Sequence, residues 1–248
     1  DPIVRYQDIN QDIIRRRATP AEISRGVSRF TVGLAKKAIL ANGCAAVADT
    51  FFDVGAAELA AVPALGILLA AFAFTLQIYL DFSAYSDMAI GMGLMVGFHY
   101  RENFMYPYAA DSVTDFWRRW HISLGTFFRD YVYIPLGGNR KGKIRTVVNR
   151  IIVFFLTGLW HGASWNFMMW GLFQGVIIML SVTFSPMLEK VNTKLNFKTE
   201  TFSWSLFRMG RTFLLCCLGR IFFKSATLTD AFGMFSRLTV FSGGFDQF

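Results

Sequence analysis

The 248-residue chain is predicted to be an all-α, polytopic transmembrane helical protein with re-entrant or interfacial helices, on three observations. Hydrophobic residues make up 54% of it and charged residues 17%, against about 25% charged in an ordinary soluble domain. Residues 59–80 contain no charged side chain, and neither do residues 151–188. About 20 apolar residues are enough for a helix to cross a bilayer. The charges fall between such runs instead of being spread evenly, and the mean hydropathy is +0.39. This composition excludes a soluble enzyme and a disordered chain. The net charge of +8 sits between apolar runs, so a nucleic-acid binder of the usual basic kind is excluded too.

The elements follow in chain order. The first 30 residues are polar and basic, with Arg15, Arg16 and Arg17 in succession. Thr19 is placed as a helix N-cap, with Pro20 at the first helical position and Glu22 closing a capping box. The helix after it is amphipathic and not spanning, and Lys36 and Lys37 in its continuation suit a membrane interface. Residues 38–52, interrupted by Asp49, form a short membrane helix. Residues 59–80 are the clearest span, with Pro63 near the start, where it costs least. Asp81 ends that span, and residues 83–98 resume as a second apolar helix interrupted by Asp87.

Residues 103–134 mix Arg118, Arg119 and Arg129 with Trp117, Trp120 and many Tyr and Phe. Charge among aromatics is an interfacial or re-entrant composition. The run Pro135-Leu136-Gly137-Gly138-Asn139 signals a turn. The uncharged stretch 151–188 is too long for one untilted span, and Gly162-Ala163-Ser164-Trp165-Asn166 is its natural break, giving helices over 147–161 and 166–184. The basic residues ahead of them favour a cytoplasmic start. A polar loop over 185–203 leads to a last helix over 204–223, with Arg208, Arg211 and Arg220 along one side. Cys44, Cys216 and Cys217 have neither metal-ligand spacing nor a disulfide pattern, and read as small apolar helix residues. No signal peptide is present, and both ends look cut. The expectation is one membrane domain over 1–248, truncated at both ends, with further spans before residue 1.

Ionisable groups inside such a chain mark candidate chemistry. His161 interrupts the uncharged run, and an ionisable residue at membrane depth is costly enough to be a functional candidate. Imidazole is the side chain best suited to take a proton from a hydroxyl near neutral pH. Its structural alternative is a polar residue hydrogen-bonded between helices. His121 lies in Trp117-Arg118-Arg119-Trp120-His121, where an interfacial anchor is the alternative. The neighbouring cations are expected to lower its pKa and keep it neutral. His99 is read as interfacial. Asp81 and Asp87 need partners, and Arg118, Arg119 and Arg129 are expected to supply a structural ion-pair network. No P-loop, GxGxxG, GxSxG or HExxH is present, and the two candidate histidines, 40 residues apart without acid or thiol ligands nearby, make no metal site.

The segments DFSAYSDMA at 81–89, ENFMYPY at 102–108, FWRRWHISLGTFFRDYVYIPLGGNRKG at 116–142 and LTGLWHGASWNFMMWG at 156–171 resemble the membrane-bound O-acyltransferase (MBOAT) family. They are similar to its bacterial alginate O-acetyltransferase branch in particular, and the resemblance runs over nearly the whole chain. It implies an MBOAT-like fold in which the transmembrane helices form a funnel. It also implies an essential His161 and a second functional histidine at His121, with Asp81, Asp87, Trp117, Arg118, Arg119, Arg129, Trp160 and Asn166 as binding or supporting residues. The implied reaction passes an acyl group, acetyl first, from a cytoplasmic thioester donor such as acetyl-CoA toward hydroxyls of an extracytoplasmic polysaccharide. A secreted or periplasmic SGNH-type acetyltransferase is the implied partner, the bacterial inner membrane the implied location, and no bound cofactor is implied. Arg118, Arg119, Arg140, Lys141 and Lys143 could attract the phosphates of CoA, although a positive-inside loop explains the last three equally well. Three rivals stay open: D-alanyl transfer to teichoic acid, a transporter or channel lined by Asp81, Asp87 and His161, and, ranked last, lipid or protein acylation by a distant relative. Matched interrupted helices, a sign of many transporters, are absent from the sequence.

Overall fold

A computed structural model describes residues 3–59 and 61–239, in which every regular element is helical. A short helix α1 (Tyr6–Arg15) leads to α2 (Pro20–Ala35). The capping box forms: the Thr19 hydroxyl accepts from the Glu22 N–H at 3.2 Å, and the Glu22 carboxylate accepts from the Thr19 N–H at 2.8 Å. The helix does not stop after Lys37. It passes through one π-helical stretch, Lys36–Ala41, into α3 (Asn42–Phe52), giving one 33-residue helix long and apolar enough to cross a membrane. The expected amphipathic helix plus a separate span at 38–52 is therefore corrected to one rod.

A single turn, α4 (Ala56–Leu59), precedes α5 (Ala64–Met95), which is likewise continuous. Pro63 is its N-cap and not an interior residue, and Asp81 does not end it. The continuity of the rod through Lys37 and of α5 through Asp81 has one cause. Lys36 bonds Asp87 at 2.6 Å, Arg29 reaches the same carboxylate at 2.9 Å, and Lys37 pairs with Asp81. The charges that look like interruptions in each helix neutralise one another across the interface between the two. Close approach makes this possible. A Cβ on Gly26 would lie 2.6 Å from the Gly91 carbonyl oxygen, and one on Gly91 would lie 2.7 Å from that of Gly26. Small residues letting two backbones meet is the common device of membrane helix pairs.

Beyond α5 the chain is irregular, then makes two seven-residue helices, α6 (Val113–Arg119) and α7 (Ile122–Phe128), and a π-helical turn, Arg129–Tyr133. Next comes a hairpin of α8 (Lys143–His161) and α9 (Trp165–Lys194), broken at Gly162–Ser164. Gly158 and Gly171 bring its arms together, since a Cβ on either would collide with a carbonyl of the other helix. The expected loop at 185–203 is shorter. Helix α9 runs through Pro186 to Lys194, losing only one N–H donor on an exposed stretch. Helix α10 (Phe202–Lys224) begins at a Thr201 cap, and α11 (Leu228–Thr239) follows with its own box between Thr227 and Asp230. Besides the Pro20–Phe52 rod, α5 and α9 have spanning length and composition.

One core joins α3, α5, α9, α10 and α11 around Ile67, Trp170, Ile221 and Met234. A second, smaller one gathers Ala110, Phe116, Trp120 and Cys216 against Tyr79, Phe82 and Phe104. The three cysteines are free thiols in α3 and α10. The segment 103–122 lies over this second core, and that places His121 in the interior.

Candidate active site

His121 occupies the link between α6 and α7 with φ 48° and ψ 56°, the left-handed region that a non-glycine residue seldom enters. Two backbone bonds from a second strand of chain hold it there. Met105 N–H donates to the Arg119 carbonyl at 3.0 Å, and Ile122 N–H donates to the Asn103 carbonyl at 3.0 Å. The Asn103 side chain is buried in the same joint. Its Oδ1 accepts from the Ser123 N–H at 3.1 Å and the Ser123 hydroxyl at 2.9 Å, and lies 3.3 Å from His121 Nδ1. The Asn103 carbonyl oxygen can only accept, so this network assigns the imidazole proton to Nδ1. Nε2 is then the basic nitrogen. It is buried, with no hydrogen-bond partner among the described residues.

Only 3% of His121 is exposed, and burial pushes its pKa well below the usual imidazole value. It is therefore neutral, as expected, but for a different reason. Burial, and not the adjacent cations, is the leading cause: Arg119 pairs with Asp115 at 2.8 Å, and Arg118, although it lines the same cleft as His121, is exposed. Phe82 stands edge-on to the His121 ring at 4.7 Å.

His161 ends α8, where the hairpin breaks. Its ring stands edge-on to Trp170 at 5.2 Å, Phe223 at 5.0 Å and Trp160 at 5.0 Å. Trp160 also faces His121, at 5.9 Å. One exposed indole thus lies against both imidazoles, which come from segments 40 positions apart. His121, but neither His161 nor Trp160, lines a cleft of about 260 Å³, together with Trp117, Leu124, Phe128, Val153, Phe154 and Thr157 and with Arg118, Arg129 and Arg150.

The other residues singled out by sequence fall into two groups. Trp117 lines the cleft, packs on Phe154 and Trp170, and donates Nε1–H to Gln174 at 3.4 Å. Asn166 is buried at the start of α9 and donates to the Ser225 carbonyl at 2.5 Å, fixing that helix to the end of α10. Arg129 pairs with Asp130 at 2.8 Å and reaches the cleft. Asp81 and Asp87, by contrast, bond Lys37, Lys36 and Arg29 of the N-terminal rod and not the expected Arg118, Arg119 or Arg129. Hydropathy could not single out those partners, because α2 reads as a surface helix until its cations are matched to carboxylates.

Two residues escaped the sequence reading. Asn103 was visible only as part of a motif, with no spacing that ties it to His121. Arg220 read as one of three arginines on a helix side, yet it is only 3% exposed. No group of His, Cys, Asp and Glu among the described residues is placed to hold a metal ion.

The model of the membrane-bound O-acyltransferase (MBOAT) family matches residues 2–219. The chain belongs to the MBOAT family. Within it, the chain is 41% identical over 241 residues to a protein of Pseudomonas syringae pv. tomato named "Probable alginate O-acetylase AlgI", an alignment covering 97% of this chain and 43% of that one. It is 34% identical to the peptidoglycan O-acetyltransferase of Helicobacter pylori, over 96% of this chain and 42% of the relative. It is 27% identical to the teichoic acid D-alanyltransferase of Bacillus subtilis, over 90% and 57%. The chain thus spans less than half the length of the first two of these MBOAT relatives. Family membership and the three spanning-length helices make it a membrane protein.

Proposed function

We propose that this chain is the reaction-bearing part of an O-acyltransferase. It would pass an acetyl group from a thioester such as acetyl-CoA to hydroxyls of a polysaccharide outside the cell. The observation that carries this reading is the meeting of His121 and His161 on the Trp160 ring, with His121 also lining the cleft. Acyl transfer needs a base for an incoming hydroxyl, a dry place for the thioester, and cations for a phosphate-bearing donor. His161 serves as the base. The acceptor oxygen bonds to the carbonyl carbon as its proton moves to the imidazole, and the proton then leaves with the thiolate as the C–S bond breaks. His121, with its proton fixed on Nδ1 by Asn103, presents Nε2 to orient or share the proton in transit. The cleft takes the acyl arm, and Arg118, Arg129 and Arg150 attract the donor's phosphates.

The likeness to an alginate and a peptidoglycan O-acetyltransferase, above that to a D-alanyl transferase, favours acetyl over D-alanyl and a glycan acceptor. On this reading the protein is a multi-pass protein of the bacterial inner membrane. It would hand the acetyl group on through a secreted or periplasmic SGNH-type partner.

The test is His161→Ala in the full-length protein, scored by O-acetyl content of the cell surface at matched protein level. The loss expected is about 10²–10⁴-fold, the usual worth of general-base help. Unchanged acetylation removes the proposal, and unchanged acetylation in His121→Ala removes only the second histidine's part. Solute flux through reconstituted vesicles without acyl transfer would point to a transporter instead.

A further inference from the structure

We propose that Arg220 is a further catalytic residue, the cation that takes up the negative charge on the thioester carbonyl oxygen during transfer; the proposal rests on the acyl-transfer reading. Its guanidinium carbon lies 4.9 Å from the centre of the Trp120 ring, 5.7 Å from that of Trp170 and 5.5 Å from that of Phe223. Trp170 and Phe223 are also the rings that His161 abuts, and Trp120 precedes His121 in the chain. The cation therefore sits among the aromatic walls shared by both imidazole segments.

Its environment differs from that of the other inward-facing cations. Lys36 and Arg29 each meet a carboxylate within 3 Å. Arg220 is more deeply buried than either, yet among the described residues it makes no ion pair and no side-chain hydrogen bond to a carbonyl or carboxylate. A buried charge without a counter-charge is costly, and aromatic faces repay only part of that cost. Such a residue is suited to a site where negative charge arises transiently. A guanidinium has five N–H donors and does not lose its proton, so it can stabilise an oxyanion without competing for the proton that His161 handles.

The step balances without another reactant. As the acceptor hydroxyl oxygen bonds to the carbonyl carbon, its proton passes to His161 and the carbonyl π electrons move onto oxygen, opposite Arg220. They return when the C–S bond breaks, and the thiolate leaves with the proton from His161. A preorganised cation at that oxygen acts in the transition state and not on the ground-state donor, so its loss should fall on kcat.

The experiment uses the full-length protein in membranes that contain its acceptor system, with radiolabelled acetyl-CoA as donor and turnover expressed per folded protein from a monodisperse detergent peak. Arg220→Gln is expected to lower kcat about 10²–10³-fold, the usual effect of removing one oxyanion donor, with KM for acetyl-CoA within about threefold. Arg220→Lys, which keeps the charge but not the fork, should fall between glutamine and wild type. A glutamine variant whose kcat stays within about threefold of wild type, or whose loss lies in KM alone, overturns the assignment. Should the glutamine variant fail to fold, the lysine variant decides: partial kcat supports the assignment, and either full kcat or no turnover in folded protein overturns it. His161→Ala is run alongside. If it retains turnover the base role of His161 fails, and absence of acetyl transfer by the wild type defeats the acyl-transfer reading, whereas an active wild type and an inactive His161→Ala beside a fully active Arg220→Gln defeat the Arg220 assignment alone.

Discussion

Asn103 is the residue on which His121 depends. One carbonyl oxygen meets three donors, and the main chain of the same residue pins the left-handed turn that holds the histidine. A left-handed non-glycine residue costs about 1–2 kcal/mol, so the turn persists only because this joint over-determines it. Asn103→Ala leaves the Ser123 N–H without its acceptor and the His121 Nδ1–H with only the Ser123 hydroxyl, 3.4 Å away. The expected outcome in full-length protein is a loss of about 1–3 kcal/mol in unfolding stability, with at least a tenfold drop in kcat because the imidazole proton is no longer fixed. Thermal melting in detergent and turnover on acetyl-CoA check the two parts separately. Intact turnover in a variant that melts early would make Asn103 purely structural.

The helices show why hydropathy divides this chain wrongly at two places and rightly at others. The break after His161 was legible because Gly162, Ala163, Ser164 and Asn166 interrupt an apolar run with residues that favour turns and caps. The capping box at Thr19 was legible for the same local reason. The false breaks after Lys37 and at Asp81 arise because charge is read one helix at a time, while its cost is set by what stands opposite. Asp87 illustrates this. It bonds both Lys36 and Arg29, and Arg29 also holds Glu102. Asp87→Ala should therefore cost more stability than Lys36→Met, because the first leaves two cations short of a partner and the second leaves the carboxylate one. The expected difference is about 1–2 kcal/mol, read from melting of the two variants. Equal losses would show that the Arg29–Asp87 pair adds nothing to stability.

At the scale of the molecule, a second polar cluster fastens the N-terminal helices to the end of α5. His99 lies 3.1 Å through Nδ1 from Asp12 of α1 and 3.1 Å through Nε2 from Glu22 of α2, and its own N–H donates to Asp12 at 2.8 Å. Hydrogen bonds to Glu22 and then Asp12 raise the His99 pKa above the ordinary imidazole value. A raised folded-state pKa contributes stability that is fully present below about pH 6.5 and is lost as pH rises through the folded value. The melting temperature of wild type should therefore exceed that of His99→Gln in mildly acid buffer, with the gap closing as pH rises past neutrality. A gap that stays constant with pH would rule the latch out. The sequence marked His99 only as interfacial, since its partners lie 77 and 87 positions away. The same limit hid the meeting of His121 and His161. Their motifs are legible one by one, but their shared wall at Trp160 exists only once α6 and α8 have packed.

The paired charges between the Pro20–Phe52 rod and α5 also constrain how the protein is made. Lys37 leaves the ribosome 44 residues before Asp81, and Lys36 51 residues before Asp87. A helix bearing two bare ammonium groups at its middle enters lipid at a penalty of about 2.5–3.5 kcal/mol for each charge on the insertion scale, and a helix bearing two bare carboxylates fares no better. Neither helix is a good substrate for one-by-one release from the insertion machinery. Release of the two together, as a preassembled hairpin, is the route that these pairs favour.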